Sequence, residues 1–547
     1  MKFNKCKLVV ALLMFTLLVG CSGGANALDN PFNGTTEKDT VTVNLAVEPP
    51  VLNSTISIDN ITDIIYNMSM VGLVSEDVNG EIVPEIAETW DVNEDNTEFV
   101  FHLRKDAKWS NGDLVTAHDF EFAWKTVMDS KTASPVAPVI YRTIKNGEKF
   151  FNGQADANEL GVKAKDDYTL VVELEEASAA FINTVSNTSY LPINKKIYDQ
   201  YGMDGYGSDA SKIVTNGPYT IKEWAHDNYI LMSKNDTYYN AKDIAIANVK
   251  YVMIGDSNAA MNAFKAGELD VFDIYGDQIA DLQSQGKDVV KSYFDNTTYV
   301  LQFNMNKKET SNGKINRALS MAIDMESLCN DVFKDGSIPA TGIVPPDIKG
   351  AKEDETYGKA RGDILTFDQK EAKKLFDEGL KELNMKVEDF KISYSANDTP
   401  LGKIQGEYFK EQWKNILGLD VTIELMPFNS RIQKLTTGDF DFTFNGWGGT
   451  VSPSEYLSFM VKNNENNFGR YNNTNYDELI DKARAEKDEV KSQEYFIEAE
   501  TLMINDGAMV PLYYTCVVYA TSNKVEGMIS NVSRKFDFTE GAKIREN

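Results

Sequence analysis

Histidine is almost missing from this chain. Three are present among 547 residues, His102, His118 and His226, and none has a partner at the spacing that metal ligation uses. Each reads as a structural or surface residue. Patterns of the G-x-S-x-G, P-loop and H-E-x-x-H kinds are missing as well, so no convergent nucleophile, base or metal set points to an enzyme. Carboxylates are plentiful, yet no pair is set apart as catalytic. The run Asp91 to Glu98, DVNEDNTE, alternates oxygen donors as a calcium loop does, but lacks the loop glycine and the correctly spaced final glutamate. It joins two strand-like runs and reads as a hairpin turn. No cofactor and no metal are expected.

Cysteine is scarce too, with four in the chain: Cys6, Cys21, Cys329 and Cys516. There is no CxxC motif and no disulfide framework. Cys329 and Cys516 are far enough apart in sequence to pair or to stand as buried free thiols, and the second is favoured. Basic residues are outnumbered, 55 Lys and Arg against 83 Asp and Glu, for a formal net charge of -28. So acidic a surface repels a polyanion, which argues against nucleic acid as a partner. No low-complexity tract or solenoid-period repeat is present.

The one marked apolar run lies at the start. Lys2, Lys5 and Lys7 precede Leu8 to Gly20, a stretch too short to span a bilayer comfortably. A basic flank, a short apolar core and small residues at its end make a secretory signal peptide. Its end, Leu18-Val19-Gly20-Cys21 followed by Ser22-Gly23-Gly24, resembles a bacterial lipoprotein signal, which implies cleavage before Cys21 and a diacylglyceryl group on its thiol. Two acyl chains anchor a protein far more firmly than one. Residues 22 to 40 then read as a flexible tether.

Length beyond that of one hydrophobic core predicts two or three domains. The first ordered segment is strand-like, Val41 to Leu45. A β-rich region follows, in which Phe99, Phe101 and Leu103 alternate with polar-side residues at strand period. A helix is predicted with Phe120, Trp124 and Val127 on one stripe. Farther on, helical runs (Ala318, Leu319, Ala322, Ile323; Phe496, Ala499, Met503) alternate with strands such as DVTIELM, DFDFTFNGW and AMVPLYYTCVVYAT, the pattern of an α/β protein. Several aromatics sit beside Gly, Asn or Pro at strand ends: Tyr219, Phe303, Phe428, Trp447, Tyr513 and Tyr514. Ligands bind at strand ends of α/β sheets, so an aromatic-lined cleft between domains is a fair expectation.

A series of landmarks then appears in order: Pro84 to Trp90 (PEIAETW), Phe101 to Gly112 (FHLRKDAKWSNG), Val115 to Phe120, Lys131 to Pro135, Thr215 to Tyr219 (TNGPY), Gly267 to Asp270, Asn316 to Leu319 and Gly446-Trp447. On these the chain resembles the extracytoplasmic oligopeptide- and dipeptide-binding proteins of ABC importers, over essentially the whole mature length. The resemblance implies a two-lobed periplasmic-binding-protein fold of α/β lobes with an additional inserted domain, three domains in all. The expected division is a signal peptide at 1–20, a tether at 21–40, a discontinuous first lobe at 41–80, 208–305 and 510–547, an inserted domain at 81–207, and a second lobe at 306–509. It also implies that the protein does no chemistry. On the same resemblance it is expected to capture oligopeptides between the lobes as an added strand and to deliver them to membrane permease subunits. The expected place is the outer face of the cell membrane of a Gram-positive bacterium, held by the lipid anchor, as a monomer. Receptors for oligosaccharides or other small solutes, and pheromone-peptide signalling receptors, are the alternatives.

Carried over residue by residue, the resemblance places Asn445, Gly446, Trp447 and Gly448 on the ligand-pairing strand, Phe428 at an aromatic pocket wall and Glu48 on the opposite side. Tyr299, Asn304 and Tyr513 are further candidates. The chain also departs from the pattern. Peptide-binding relatives follow Gly-Trp with an aspartate that receives the peptide's ammonium, whereas Thr450 stands here; Phe444 replaces an arginine of a well-known relative. A hydroxyl cannot neutralise an ammonium, and losing one member of a buried pair costs about 2–5 kcal/mol. Either a nearby carboxylate such as Glu455 or Glu48 substitutes, or no free ammonium falls in the cleft, or the ligand is not a peptide.

Overall fold

The computed structural model describes residues 39–545 except 58, 78–80, 179–180, 286–288, 353, 449–451, 463, 465 and 532–533. The signal peptide, Cys21 and Thr450 therefore lie outside the described residues, as does the side chain of Phe428.

The strands used below are β1 (Thr40–Asn44), β2 (Ala87–Val92), β3 (Glu98–Leu103), β4 (Val162–Asp166), β5 (Thr169–Glu173), β6 (Tyr219–Ala225), β7 (Tyr229–Lys234), β8 (Asn248–Val252), β9 (Val271–Asp273), β10 (Val290–Phe303), β11 (Ser393–Asn397), β12 (Thr422–Met426), β13 (Phe442–Trp447) and β14 (Met509–Thr521). One mixed sheet runs β12-β11-β13-β10-β14-β9-β1-β8-β7-β6, and a second runs β2-β3-β5-β4.

The long central strands β10 and β14 join the halves of the large sheet. Their outer ends belong to different cores. Val300, Leu301 and Phe303 of β10 and Met509 to Val510 and Leu512 to Tyr513 of β14 pack in one cluster with Trp413, Phe442 and Ile480. At the other end, Val518 and Ala520 pack with Val252, Leu269 and Phe272. Two strands that pass from one core to another, with few other covalent links, make a natural hinge.

The antiparallel pairing of β10 and β14 breaks midway. Phe294 faces Cys516 and Thr298 faces Tyr514, so residues 295–297 stand opposite Thr515 alone. A second shift follows, with Tyr299 against Tyr513 but Val300 against Pro511. Asn296 accommodates the first bulge with φ 55°, a conformation that Asn tolerates better than most residues. Pro511 has no N–H to give to the ladder, which fits its place at the second irregularity.

The smaller sheet forms as its alternation predicts. Phe99, Phe101 and Leu103 are buried on β3, and β2 pairs with β3 around the turn at residues 93–97. Asn93 Oδ1 accepts from the backbone N–H of Thr97 (2.9 Å) and Glu98 (3.0 Å), so DVNEDNTE is a hairpin. Helix α1 (Asn60–Ser69) is capped by Asp59, whose carboxylate accepts from Thr62 N–H, and it buries Ile64, Ile65 and Met68. Helix α2 (Ala117–Met128) buries Phe120, Trp124 and Val127.

The expected helix through Ala318 and Ile323 is shorter than its apolar stripe. Helix α3 (Gly313–Met321) ends there, and Asp324 then caps a new turn by accepting from Ser327 N–H (3.0 Å). A short acid at that point offers the backbone a cap, which favours a restart over continuation. Helices α4 (Phe428–Thr437), α5 (Pro453–Ser458) and α6 (Glu489–Asn505) complete the set used here. Cys329 and Cys516 are both free thiols, the first buried and the second half-buried. Burial pushes the Cys329 thiol up to about 12.

Candidate functional site

A cleft of about 1480 Å³ lies between the core that holds α1 and the core that holds Trp413 and Phe442. One wall is the outer face of α1. Asn60, Asp63, Ile64 and Asn67 recur at helical spacing and line the cleft, while Ile65 and Met68 point into the core. Glu76, Glu85 and residues from 183 to 188 extend this wall. The facing wall is built from the ends of β11 and β13, from α4 and from the start of α5, with Asn397, Arg431, Phe444 to Gly448 and Glu455. The floor is the hinge itself, where Asp295, Thr297, Tyr299, Tyr513 and Val517 line the cavity.

Strand β13 reaches the cleft with one edge open. It pairs with β10 from Phe442 to Trp447. On its other side β11 pairs only with Phe442 and Thr443. Beyond Thr443, the β11-side edge carries no strand partner among the described residues. Its two glycines have a steric cause that the sequence alone does not show. A Cβ on Gly448 would lie 2.3 Å from Thr297 Oγ1 and 2.4 Å from Thr297 Cα, and one on Gly446 would lie 3.2 Å from the Tyr299 ring. Glycine thus lets β13 close against the hinge bulge.

An aromatic stack supports this corner. Tyr299 lies between Phe444 (ring centroids 5.7 Å apart) and Tyr513 (4.9 Å), both nearly parallel to it. Trp447 stacks on Phe459 at 4.6 Å, and its indole N–H is buried without a hydrogen-bond partner among the described residues. Burial pushes the Tyr513 hydroxyl well up, although Gln405 Nε2 donates to it at 3.2 Å.

Arg431 fixes the open end of β13 from beneath. Its Nε donates to Asn397 Oδ1 (2.8 Å), and its Nη1 reaches Thr443 Oγ1 (3.1 Å), the Phe444 carbonyl (2.8 Å) and Asn445 Oδ1 (2.8 Å). Asn445 in turn donates to Gln302 Oε1 (2.5 Å). The Asn445 side chain is therefore engaged inside the sheet, and what it presents to the cleft is backbone. Burial pushes the Arg431 guanidinium below its usual range.

The wall around α1 is acidic and partly desolvated. Burial pushes the Asp63 carboxyl up, despite a hydrogen bond from the Thr188 hydroxyl at 2.7 Å. Glu85 is raised in the same way, with Tyr239 and Ser75 donating to it, and the Arg104 guanidinium sits 3.2 Å above the Tyr239 ring. Among the described residues no group of three or more His, Cys, Asp or Glu could hold a metal ion.

Six of the expected site residues come together at this corner: Tyr299, Asn445, Gly446, Trp447, Gly448 and Tyr513. Two do not line the cleft. Glu48 accepts from Trp224 Nε1 and His226 Nδ1, both at 2.6 Å, and from Asp227 N–H at 3.1 Å. Burial pushes its carboxyl up, but these hydrogen bonds outweigh that and hold it below the usual carboxylate range. Asn304 is buried at the far end of β10, where its Nδ2 donates to the carbonyls of Gly438 (3.0 Å) and Phe440 (3.1 Å) and secures a turn. Of the two carboxylates considered as substitutes for the missing aspartate, Glu455 lies on the wall and Glu48 does not. Arg431 and Asp295 were not expected here. A lone arginine in FNSRIQKLTT and an acid in FDNTT look like surface residues until the pairing of β10, β11 and β13 is known.

The fold and cleft define a two-lobed binding protein, and the comparisons agree. The model of the bacterial extracellular solute-binding proteins, family 5, matches residues 81–468. The chain belongs to that family. It is 31% identical over 528 residues to the dipeptide-binding protein DppE of Bacillus subtilis (strain 168), covering 95% of each chain. Among solved structures, it is similar to the substrate-binding domain of the oligopeptide ABC transporter from Bacillus anthracis str. Ames, with TM-score 0.78, 31% identity and coverage of 93% of this chain and 99% of that one. Listeria monocytogenes OppA bound to peptide is another, with TM-score 0.77, 27% identity and coverage of 94% and 100%. The fold is thus the two-lobed α/β architecture expected from the sequence.

Proposed function

We propose that this chain is the lipid-anchored substrate-binding protein of an ABC importer, which captures oligopeptides in the interlobe cleft and delivers them to permease subunits at the outer face of the cell membrane. The observation that carries this reading is the open edge of β13 inside the cleft. An extended ligand there gains main-chain hydrogen bonds that do not depend on its sequence, the β-strand addition mode of peptide recognition. A strand edge left open elsewhere on a protein invites aggregation; within a closing cleft it is a docking line. The cavity exceeds the 300–1,000 Å³ or so usual for one drug-sized molecule, which suits a ligand of several residues together with water. The names of the relatives, a dipeptide-binding protein and a peptide-bound receptor, support the same ligand class.

In this reading Tyr299, Gly446, Trp447, Gly448, Tyr513 and the backbone of Asn445 contact the ligand, and the cleft closes about the bulged crossing of β10 and β14. The mature protein begins at Cys21, whose lipid holds a monomer at the membrane of a Gram-positive cell. The first lobe comprises 41–80, 208–305 and 510–547, the inserted domain 81–207 and the second lobe 306–509. The protein binds its ligand without transforming it. Native mass spectrometry of the purified mature protein tests the ligand class: a ladder of co-purifying peptide masses is expected, whereas adducts spaced by hexose units would refute it.

A further inference from the structure

The run Asp295-Asn296-Thr297 interrupts β10 where three residues stand opposite Thr515. This bulge lies in the cleft floor, and both Asp295 and Thr297 line the cavity. It also stands beside the end of β13, because Thr298 pairs with Trp447 and Gly448 closes directly onto Thr297. The bulge thus sits at the cleft end of β13, on the β10 side of that strand and across it from the open edge.

Asp295 is half engaged. Its Oδ1 accepts from the Thr297 N–H (3.0 Å) and from the Thr515 hydroxyl (2.5 Å), which also lies 3.2 Å from the Thr297 carbonyl. Those contacts hold the bulge together and tie β10 to β14. Oδ2 has no partner among the described residues, and no Lys, Arg or His of those residues pairs with the carboxylate. Its charge is felt by the neighbouring stack: burial first, then Asp295, push the Tyr299 hydroxyl up.

A turn-stapling role alone needs only one acceptor oxygen, which asparagine supplies equally well. The second oxygen adds a negative charge on the cavity lining, and none of the cations on that lining, Arg431, Arg534 and Lys535, pairs with it among the described residues. We propose that Asp295 receives an alkylammonium group of the ligand and is a specificity-determining residue of the cleft. This deepens the peptide reading and rests on it. The charge lacking at Thr450 in the sequence is supplied from the hinge, by a residue distant in sequence from the Gly-Trp strand. Because Thr515 holds the same carboxylate, the docked cation is registered on both crossover strands at once.

A peptide offers alkylammonium from two sources, its N-terminus and its lysine side chains. Two equimolar pools of synthetic peptides, four to eight residues long, separate them: lysine- and arginine-free peptides with free or acetylated N-termini, and acetylated peptides with or without one lysine. The full-length protein and its Asp295→Asn variant are each offered both pools, and captured peptides are read by native mass spectrometry. The wild type is expected to enrich the ammonium-bearing member of at least one pool by about 10- to 100-fold. Preference in the first pool assigns the N-terminus, and preference confined to the second assigns lysine. D295N should retain capture of the neutral peptides while its enrichment ratio falls to near one. Thr515→Val, which removes the staple and keeps the charge, should retain the preference.

An unchanged ratio in D295N overturns the assignment, as does a wild type that captures peptides without regard to ammonium. Loss of preference in T515V with retention in D295N assigns a structural role instead and equally overturns it. A wild-type protein that captures no peptide from either pool overturns the peptide reading itself, and this inference with it.

Discussion

Replacing Glu500 by glutamine tests how the core around α6 holds the crossing of β10 and β14 in place. Glu500 on α6 is fully buried, and so is its partner Arg361, with Nη1 to Oε1 at 3.1 Å. Oε1 also accepts from the N–H groups of Ile343 (2.5 Å) and Val344 (3.0 Å), and Oε2 accepts from the Tyr357 hydroxyl (3.0 Å). Burial works against the Arg361 guanidinium, but the carboxylate beside it outweighs this and holds it charged. The loop so anchored reaches the hinge: the Tyr514 hydroxyl bonds to both backbone groups of Gly342, and Thr298 donates to the Ile343 carbonyl at 2.7 Å. Thr298 and Tyr514 face each other across β10 and β14 just beyond the bulge.

Glutamine keeps an oxygen for the two backbone donors but leaves the guanidinium buried without a counter-charge. Breaking one side of a buried pair costs about 3–5 kcal/mol, a large part of the 5–15 kcal/mol or so that stabilises a typical domain. Adding Arg361→Met removes the stranded charge; Tyr514 keeps its two bonds to Gly342 and Thr341 is half-buried, so the main remaining loss is the partner of the buried Val344 carbonyl, at about 1–3 kcal/mol. The expected outcome in urea unfolding is therefore an inversion, with the double variant R361M/E500Q more stable than E500Q alone. A double variant less stable than E500Q, or E500Q within about 1 kcal/mol of wild type, would refute the reasoning.

Other perturbations bear on the cleft. Gly448→Ala places a methyl against the backbone of Thr297 and Asn296, so about 1–3 kcal/mol of stability should be lost as β13 moves off the bulge, with weaker capture of peptide; unchanged thermal melting and affinity would contradict that close approach. Asp63 has its folded-state pKa raised by burial, so its stabilising contribution is full at low pH and is lost as pH rises through the raised value. Asp63→Asn, which can still accept from Thr188, should accordingly stabilise the protein at pH 7 and have little effect at pH 3; an equal effect at both would contradict the shift.

Strand periodicity and apolar stripes marked most of the elements in the sequence, because Phe99, Phe101 and Leu103 or Phe120, Trp124 and Val127 must each reach one core. The corner of the cleft was partly legible for the same reason: Gly-Trp-Gly at the end of an alternating strand is unusual, and it does lie on the cavity wall. Long-range partners decided the rest. Glu48 is held by Trp224 and His226, some 180 positions away in the chain, and nothing in VEPPVLN announces them. Asn304 ends a strand, as a ligand contact would, but the carbonyls it serves belong to the turn at 438–440. Asp295-Asn296-Thr297 reads as three polar residues in a strand; only the register against Thr515 reveals a bulge with a carboxylate turned toward the cleft. The break before Asp324 illustrates a local rule, since a capping side chain can end a helix that its apolar stripe would continue.

Hydrogen exchange on the protein with and without a peptide captured from the synthetic pool tests the central claim most directly. If the ligand pairs with the open edge of β13, the segment from Asn445 to Gly448 gains protection on binding, together with the hinge residues 295–299. Protection confined to the wall around α1, with exchange at 445–448 unchanged, would contradict strand pairing and mean that side-chain contacts alone hold the ligand.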